Sequence, residues 1–421
     1  MRGATRSTTV RAAAPSAPVG PGFVTTYSLA YMSVALMLIA PLLVTLALKI
    51  RSLVGAEQAP QSLALVTAVG GLLSLFAAPV FGRLSDRTAS RFGMRRPWMI
   101  GGLAGGVLGI AVVATAPSVV VVLVGWCLAQ VSFNALLAAL VAVLPDQVPV
   151  AQRGTVSGVL GITVPVAAVL GTFLVQLFEG HQVAMFLTPC AIGGCLVLLF
   201  VSRLEDRRLD AEAARRWTLR DLVAAFHLDP RRSPDFSWAF AGRFLFICAY
   251  AFLTTYQAYY LIDRVGSAEA DVPRQVFLAT LVQSVVLVVA SLVGGRLSDR
   301  TGRRKVFVAS AAVTYGVALF VIAAADTFGG FLIGMAISGL GFGTYLAVDL
   351  ALVADVLPDA ADSARDLGLF NIANALPYAL APAVAPIILS ASGDSYAVLY
   401  AVAGTCALLA AAAVVPIRSV R

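Results

Sequence analysis

Two ionisable side chains lie within long apolar stretches of this sequence, where charge is expensive. Asp349 lies in the apolar stretch 329–353, and Arg243 lies within 236–260. Ionisable groups inside membrane spans are rare and mark functional positions by default. Asp349 could bind a coupling proton or a substrate, with Arg243 as its partner or as a substrate anchor. Alternatively, Asp349 pairs with Arg300 or Arg303 and has a structural role.

Neutral hydrogen-bonding side chains recur at helical spacing in four apolar stretches. Tyr250, Thr254 and Gln257 continue the helix face that carries Arg243. The other members of this set are Tyr27, Tyr31, Trp126, Gln130, Asn134, Asn371, Asn374 and Tyr378. Together they predict a central cavity for a polar or amphipathic small molecule. The alternative for each is a hydrogen bond that joins neighbouring helices.

A charged heptapeptide occurs twice. GRLSDRT at 82–88 returns unchanged at 295–301, an offset of 213 residues. The tripeptide Leu-Pro-Asp repeats at the same offset, at 144–146 and 357–359. Each heptapeptide follows one apolar stretch and precedes another, so we expect two short charged loops between spans. The repeat predicts two homologous halves whose shared site lies between them.

The composition identifies the class of protein that must hold these residues. Hydrophobic residues make up 59% of the 421 residues and charged residues only 12%, about half the charged share of soluble domains. The long continuous apolar runs predict an all-α polytopic membrane protein and exclude the alternating pattern of a β-barrel. The five cysteines are scattered through these runs, so we expect no disulfide frame, metal or cofactor.

Twelve membrane-spanning helices are predicted. They lie near 24–48, 61–82, 98–115, 118–143, 154–176, 184–201, 236–260, 273–294, 306–325, 329–353, 366–390 and 396–415. With both termini in the cytoplasm, all but five of the 30 basic residues fall on the cytoplasmic side. The exceptions are Lys49, Arg51, Arg264, Arg274 and the intramembrane Arg243. The net charge of +8 therefore marks topology, and we expect no nucleic-acid partner.

The spans divide the chain into five segments. We predict a disordered cytoplasmic tail (1–22), a six-helix bundle (23–201), a cytoplasmic linker (202–235), a second six-helix bundle (236–415) and a short tail (416–421). In the linker, Thr218 and Asp221 fit a capping box before an apolar face, which predicts an amphipathic helix on the inner leaflet. A flexible linker is the alternative. We expect a monomer in contact with membrane lipids.

The duplicated heptapeptide resembles the loop motif of the major facilitator superfamily. The second copy matches that motif through Gly295, Asp299, Arg300, Gly302, Arg303 and Arg304. The first copy matches through Gly82, Asp86 and Arg87, and then extends through SRFGMRRPW, which includes Arg95 and Arg96. That longer form resembles glycoside–pentoside–hexuronide and sucrose-transporter-like symporters. The resemblance implies the twelve-helix major facilitator fold and a plasma-membrane transporter without enzymatic activity.

The resemblance also implies a gate built from these loop residues. Gly82 and Gly295 would allow close helix approach, and Asp86 and Asp299 would lie at the starts of helices from the opposite half, near Asp366 and Gly154. The arginines would hold the loops in a charged network. The alternative for the outer arginines is topology marking alone.

One departure limits the resemblance. Symporters of the glycoside–pentoside–hexuronide type carry carboxylates in spans one, two and four, and this chain has none there. A sodium site of that kind is therefore not expected. The leading hypothesis is an alternating-access transporter of a sugar or glycoside, coupled to H⁺ if coupled at all. The alternatives are an exporter of drugs or natural products and, remotely, a non-transporting membrane sensor.

Overall fold

The structure, a computed structural model, describes residues 18–206, 234–356 and 372–417, with the side chains of 350–356 excepted. These residues form α1 (Pro21–Ala40), α2 (Leu46–Ser85), α3 (Arg96–Thr115), α4 (Val119–Gln147), α5 (Val150–Leu177), α6 (Gln182–Arg203), α7 (Pro234–Asp263), α8 (Val272–Thr301), α9 (Arg304–Ala324), α10 (Phe328–Val356), α11 (Pro377–Ala391) and α12 (Tyr396–Val414). The all-helical fold predicted from the sequence is confirmed. The predicted amphipathic helix at 218–226 and Asp366 lie outside the described residues.

The first two spans form one nearly continuous helix. It runs for 65 residues from Pro21 to Ser85, about 100 Å of helix against roughly 30 Å of bilayer core. The chain turns back at Gly55, whose φ of 77° lies in the left-handed region that suits glycine. The loop predicted between 48 and 61 is therefore mostly helical. Counting this break, the described helices provide twelve spans.

A π-helical turn interrupts the first span. Pro41 has no N–H for the regular ladder, and the helix widens so that the N–H of Leu46 bonds to the carbonyl of Pro41. The turn comprises Pro41–Thr45 and contacts α5 and α6 as well as α7 and α8. It therefore lies where the two halves meet.

Helix packing repeats with an offset of six helices. In the first half, α1 packs on α5 and α6, α3 packs on α4 and α6, and α2 packs on α4. In the second half, the corresponding contacts are those of α7 with α11 and α12, of α9 with α10 and α12, and of α8 with α10. Two symmetric contacts join the halves, α2 with α11 and α5 with α8. This arrangement matches two six-helix bundles related by a pseudo-twofold axis, as the sequence repeat predicts.

Glycines allow the closest helix contacts within each half. A Cβ at Gly343 on α10 would lie 2.2 Å from the carbonyl oxygen of Leu287 on α8, and one at Gly109 on α3 would lie 2.6 Å from the backbone of α4. Without aqueous solvent to drive association, helices in a membrane depend on such close packing.

The two heptapeptides differ from the predicted loops. The copy at Gly295–Thr301 is wholly helical and forms the last two turns of α8. It contains no proline, and the helix ends where Gly302 adopts φ 64° and donates to the carbonyl of Ser298. In the first copy, α2 continues to Ser85, and only the following residues form a loop before α3. The loop prediction was therefore wrong for the second copy.

Candidate functional site

The two intramembrane ionisable residues form an ion pair. Nη1 of Arg243 on α7 donates to Oδ2 of Asp349 on α10, and the two side chains are 14% and 6% exposed. Tyr345, one helical turn before Asp349, has its hydroxyl close to this carboxylate. Arg300 and Arg303, the alternative partners considered from the sequence, are exposed. The structure thus gives Asp349 a basic partner within its own half.

Aromatic rings surround this ion pair. Tyr345 stacks on Phe246 with 3.7 Å between ring centroids, and Tyr250 stacks on Phe342 at 4.4 Å. Tyr378 on α11 meets Tyr250 edge-on at 6.3 Å. We call these five residues the aromatic wall. Its rings provide flat apolar surface with phenol groups at the edges, next to a buried charge pair.

The wall contains two of the six cavity residues that the sequence predicts in the C-terminal half. Tyr250 and Tyr378 belong to it, and Asn374 is half-buried in the short helical stretch 372–375 that precedes α11. Thr254 is 5% exposed and donates to the carbonyl of Tyr250, whereas Gln257 is 1% exposed one turn further along α7. Asn371 lies outside the described residues.

In the N-terminal half, two of the predicted cavity residues are fully buried and three are half-buried. Tyr27 is fully buried and donates to the carbonyl of Leu140, and Trp126 is fully buried beside Gly70, where a Cβ would lie 2.6 Å from the indole. Tyr31, Gln130 and Asn134 are half-buried, and Asn134 donates to the Gln130 backbone carbonyl at 2.8 Å. The half-buried residues have the exposure that ligand contact requires.

Arg95 organises the first charged loop. It pairs with Asp86 at 2.6 Å and with Asp146 at 2.9 Å, and it donates to the hydroxyl of Ser85 at 2.6 Å. Arg95 is only 4% exposed, so three acceptors compensate its charge. Asp146 belongs to the repeated Leu-Pro-Asp tripeptide. The repeat singles out Asp146, but nothing in the sequence indicates that Arg95 is its partner.

Asp206 completes this network and was not predicted. Its carboxylate accepts from the backbone N–H groups of Arg95, at 2.7 Å, and Arg96, at 2.8 Å, at the start of α3. It lies against Gly93, which adopts φ 101° and leaves no room for a Cβ. The contact joins the ends of α6 and α3, and a carboxylate at a helix N-terminus is favourable.

The same tie recurs in the second half. The guanidinium of Arg96 donates to the carbonyl of Leu204, just after α6, and Lys305 donates to the carbonyl of Ile417, just after α12, at 2.8 Å. In both halves a basic residue at the start of the third helix therefore holds the end of the sixth. Arg87 and Arg304 are half-buried at this end of the molecule, which we call the loop face.

Among the described residues, no polar side chain joins the second charged segment to the other half. Asp299 is exposed, and within the described part of the chain no residue binds its carboxylate. No described residue lies within 4 Å of a Cβ built at Gly82, and Gly295 has only an ordinary contact with Ala347 at 3.6 Å. The close helix approach expected at these two glycines is therefore not formed with the described residues.

Charged contacts join the halves at the other end, which we call the opposite face. Arg51, just before the break at Gly55, bonds to Asp263 at 2.9 Å and to Glu269 at 2.8 Å. The hydroxyl of Tyr259 donates to the carbonyl of Ala47 at 2.9 Å. We call Arg51, Asp263 and Glu269 the latch. These polar contacts between the two halves are therefore made on the opposite face.

The comparisons with known proteins agree with this architecture. The family model described as Major Facilitator Superfamily matches residues 22–284 and 273–420. Curated relatives include proteins named multidrug resistance protein MdtL, from Klebsiella pneumoniae subsp. pneumoniae (31% identical over 156 residues) and Escherichia coli (32% over 158 residues). The match covers 35% of this chain and spans only 38% of the length of those relatives.

Solved structures share the fold at low sequence identity. The nucleoside transporter NupG has a TM-score of 0.74 at 13% identity, covering 94% of this chain and 99% of that one. A peptide transporter POT in complex with sulfate has a TM-score of 0.74 at 14% identity, covering 96% of each chain. A bacterial homolog of the human lysosomal transporter Spinster, in an inward-facing and unoccupied conformation, has a TM-score of 0.66 at 15% identity, covering 94% and 97%. At such identities the likeness shows the fold alone.

Proposed function

Because the chain belongs to the major facilitator superfamily, we propose that it is a secondary active transporter that moves a small organic solute across the plasma membrane by alternating access. Two symmetric bundles touch through α2 with α11 and α5 with α8, so each can rock against the other. The latch on the opposite face and the exposed Asp299 on the loop face support an inward-facing state. In this assignment both termini and the loop face are cytoplasmic.

We propose that the Arg243–Asp349 pair couples transport to protons. A buried carboxylate that has one basic partner can take up a proton, which neutralises the carboxylate, changes the net charge of the pair from zero to +1 and frees the guanidinium. The pair lies about two turns from the loop-face end of α10, beside the aromatic wall. A substrate on the wall would therefore sense the change in charge. This juxtaposition of ion pair and aromatic wall is the observation that carries the proposal.

The aromatic wall favours an amphipathic aromatic substrate and hence an exporter. Tyr250, Phe342 and Tyr378 offer ring faces and edges to which a flat apolar molecule can bind. The name of the MdtL relatives supports the same substrate class. A sugar or glycoside remains the second candidate, because the SRFGMRRPW extension resembles symporters of such substrates and because the half-buried amides of Gln130, Asn134 and Asn374 suit hydroxyl groups.

The two substrate classes are separated by transport into proteoliposomes under an imposed pH gradient. We expect ethidium accumulation driven by the gradient and no accumulation of radiolabelled melibiose. Tyr250→Ala should reduce ethidium transport strongly, whereas Trp238→Ala should not, because Trp238 is 44% exposed on the same helix and outside the wall. Accumulation of melibiose without ethidium transport would select the second candidate. If neither probe moves, the proposed substrate classes are wrong.

A further inference from the structure

A cleft opens between the two halves on the opposite face, away from the aromatic wall. It has a volume of about 350 Å³, within the range of small-molecule sites. The first span contributes Thr45, Leu48 and Ser52, which share one helix face at spacings of three and four. Glu179 lies between α5 and α6, and Gln182 begins α6. Glu269 lies just before α8, and Pro273 lies in its first turn. The cleft therefore exists only while the halves are together on this face.

The cleft carries an excess of negative charge. Glu179 is exposed, and no ion pair to it is formed among the described residues. Glu269 shares Arg51 with Asp263, so two carboxylates meet one guanidinium. The nearest lysine, Lys49, is buried and donates to the carbonyl of Ala114 and to Oε1 of Gln182, both at 3.2 Å. Lys49 and Arg51 carry two positive charges, and Glu179, Asp263 and Glu269 carry three negative charges. One net negative charge therefore remains at the rim of the cleft.

A buried hydroxyl in the cleft wall has no partner. Thr45 is 1% exposed, and its Oγ1 makes no hydrogen bond to any described residue. Other buried helical threonines donate back to a carbonyl three or four residues earlier, as Thr67 does to Leu63 and Thr172 to Ala168. Thr45 ends the π-helical turn, and such turns are frequent at functional sites. Thr45 is one of the residues that line the cleft, and among these residues its hydroxyl is the buried side-chain group without a partner in the described part of the chain.

We propose that this cleft binds a small organic cation with an apolar body. The carboxylates of Glu179 and Glu269 would receive the cationic group, the hydroxyl of Thr45 would accept or donate a hydrogen bond at the buried end, and Leu48 and Pro273 would contact the apolar part. Since both halves form the walls, a bound cation stabilises the state with the opposite face closed and slows transport. This effect rests on the proposed alternating access, whereas binding itself does not.

The binding test uses tryptamine and its uncharged analogue tryptophol, titrated calorimetrically into the purified full chain. We expect tryptamine to bind and tryptophol to bind about tenfold more weakly or not at all. Glu179→Gln should raise the Kd for tryptamine about tenfold, and Thr45→Val should also weaken it, while Glu57→Gln, an exposed glutamate outside the cleft, should leave it unchanged. Equal binding of tryptamine to Glu179→Gln and to Glu57→Gln would overturn the proposal.

A second variant separates this site from the transport site. Tyr250→Ala alters the aromatic wall, so it should lower transport while tryptamine still binds with the wild-type Kd. If Tyr250→Ala abolishes tryptamine binding and Glu179→Gln does not, tryptamine occupies the central cavity and the cleft proposal fails. If no transport is found but binding depends on Glu179, the proposed function fails and the cleft proposal stands.

Discussion

At the scale of residues, the buried charges of Asp349 and Arg95 lie beside charges of opposite sign. Asp349 and Arg243 are each other's partners in a region where an isolated charge is very costly, and Arg95 has the two carboxylates Asp86 and Asp146. The first pair lies beside the aromatic wall, whereas the second network lies at the loop face. From these positions we propose that the first pair has the coupling role, whereas the second network holds the helix ends together.

Asp349→Asn should abolish the response of transport to a pH gradient, because the amide cannot take up the coupling proton. The loss of the counter-charge should also lower the free energy of unfolding, by about 3–5 kcal/mol for a buried pair. The measurement is ethidium accumulation in proteoliposomes with and without the gradient, together with the melting temperature. Asp326→Asn is the matched control, since that carboxylate pairs with Arg264 at the surface and is 70% exposed. A full response in Asp349→Asn would show that coupling lies elsewhere.

Asp206→Ala should loosen the junction of α3 and α6. The substitution removes an acceptor from the N–H groups of Arg95 and Arg96, and such caps contribute about 0.5–2 kcal/mol. We expect a lower melting temperature and faster hydrogen exchange at the start of α3. Glu205→Ala is the neighbouring control, since within the described part of the chain only the backbone carbonyl of Glu205 is bonded, to Gln147. Equal exchange in both variants would mean that the cap has no stabilising role.

At the scale of elements, helix packing within each half depends on glycines whose faces the sequence does not reveal. Gly343 and Gly339 on α10 lie against the backbone carbonyls of Leu287 and Gln283 on α8. Gly158 on α5, in contrast, has nothing within 4 Å of a Cβ. Glycine is therefore needed for close helix packing in α10, whereas α5 has room for a larger side chain at Gly158.

Gly343→Ala should destabilise the second half, because the new Cβ would lie 2.2 Å from the Leu287 carbonyl and α8 must move away. Overpacking of this kind costs about 1–3 kcal/mol. Gly158→Ala should be neutral or slightly stabilising, since alanine favours helix and the site is open. Thermal unfolding of both variants in detergent measures the difference. Similar melting temperatures would contradict the packing of α10 on α8.

The sequence predicts which helices form. It does not predict where they end or, in most cases, which side chains they bring into contact. Apolar length predicted the spans, and the heptapeptide repeat predicted two halves, because both depend on composition along the chain. The prediction of a loop at Gly295–Thr301 is wrong because charged residues do not by themselves end a helix, and the segment contains no proline. The sequence offers Arg243 as one possible partner of Asp349 beside Arg300 and Arg303, and only three-dimensional packing decides for Arg243. The capping by Asp206 is not predicted at all, because helical spacing does not show how neighbouring helices are placed against each other.

At the scale of the whole molecule, the two ends differ in how the halves meet. The latch joins them on the opposite face, while Asp299 on the loop face is exposed. Each exposed or half-exposed ion pair contributes only about 0.2–1 kcal/mol, which is nevertheless enough to bias two conformations of similar free energy. A change in the latch should therefore redistribute the conformations without unfolding the protein.

The most direct test of alternating access is a pair of spin-label distances in a cysteine-free background, one across each face. One pair joins positions Gln58 and Ala268 on the opposite face, and the other joins Ala89 and Thr301 on the loop face, all four exposed. In Arg51→Ala the first distance should lengthen and the second should shorten, whereas Arg264→Ala, whose partner Asp326 lies in the same half, should change neither. Distances that stay fixed, or that lengthen together, would contradict two halves rocking about a central site.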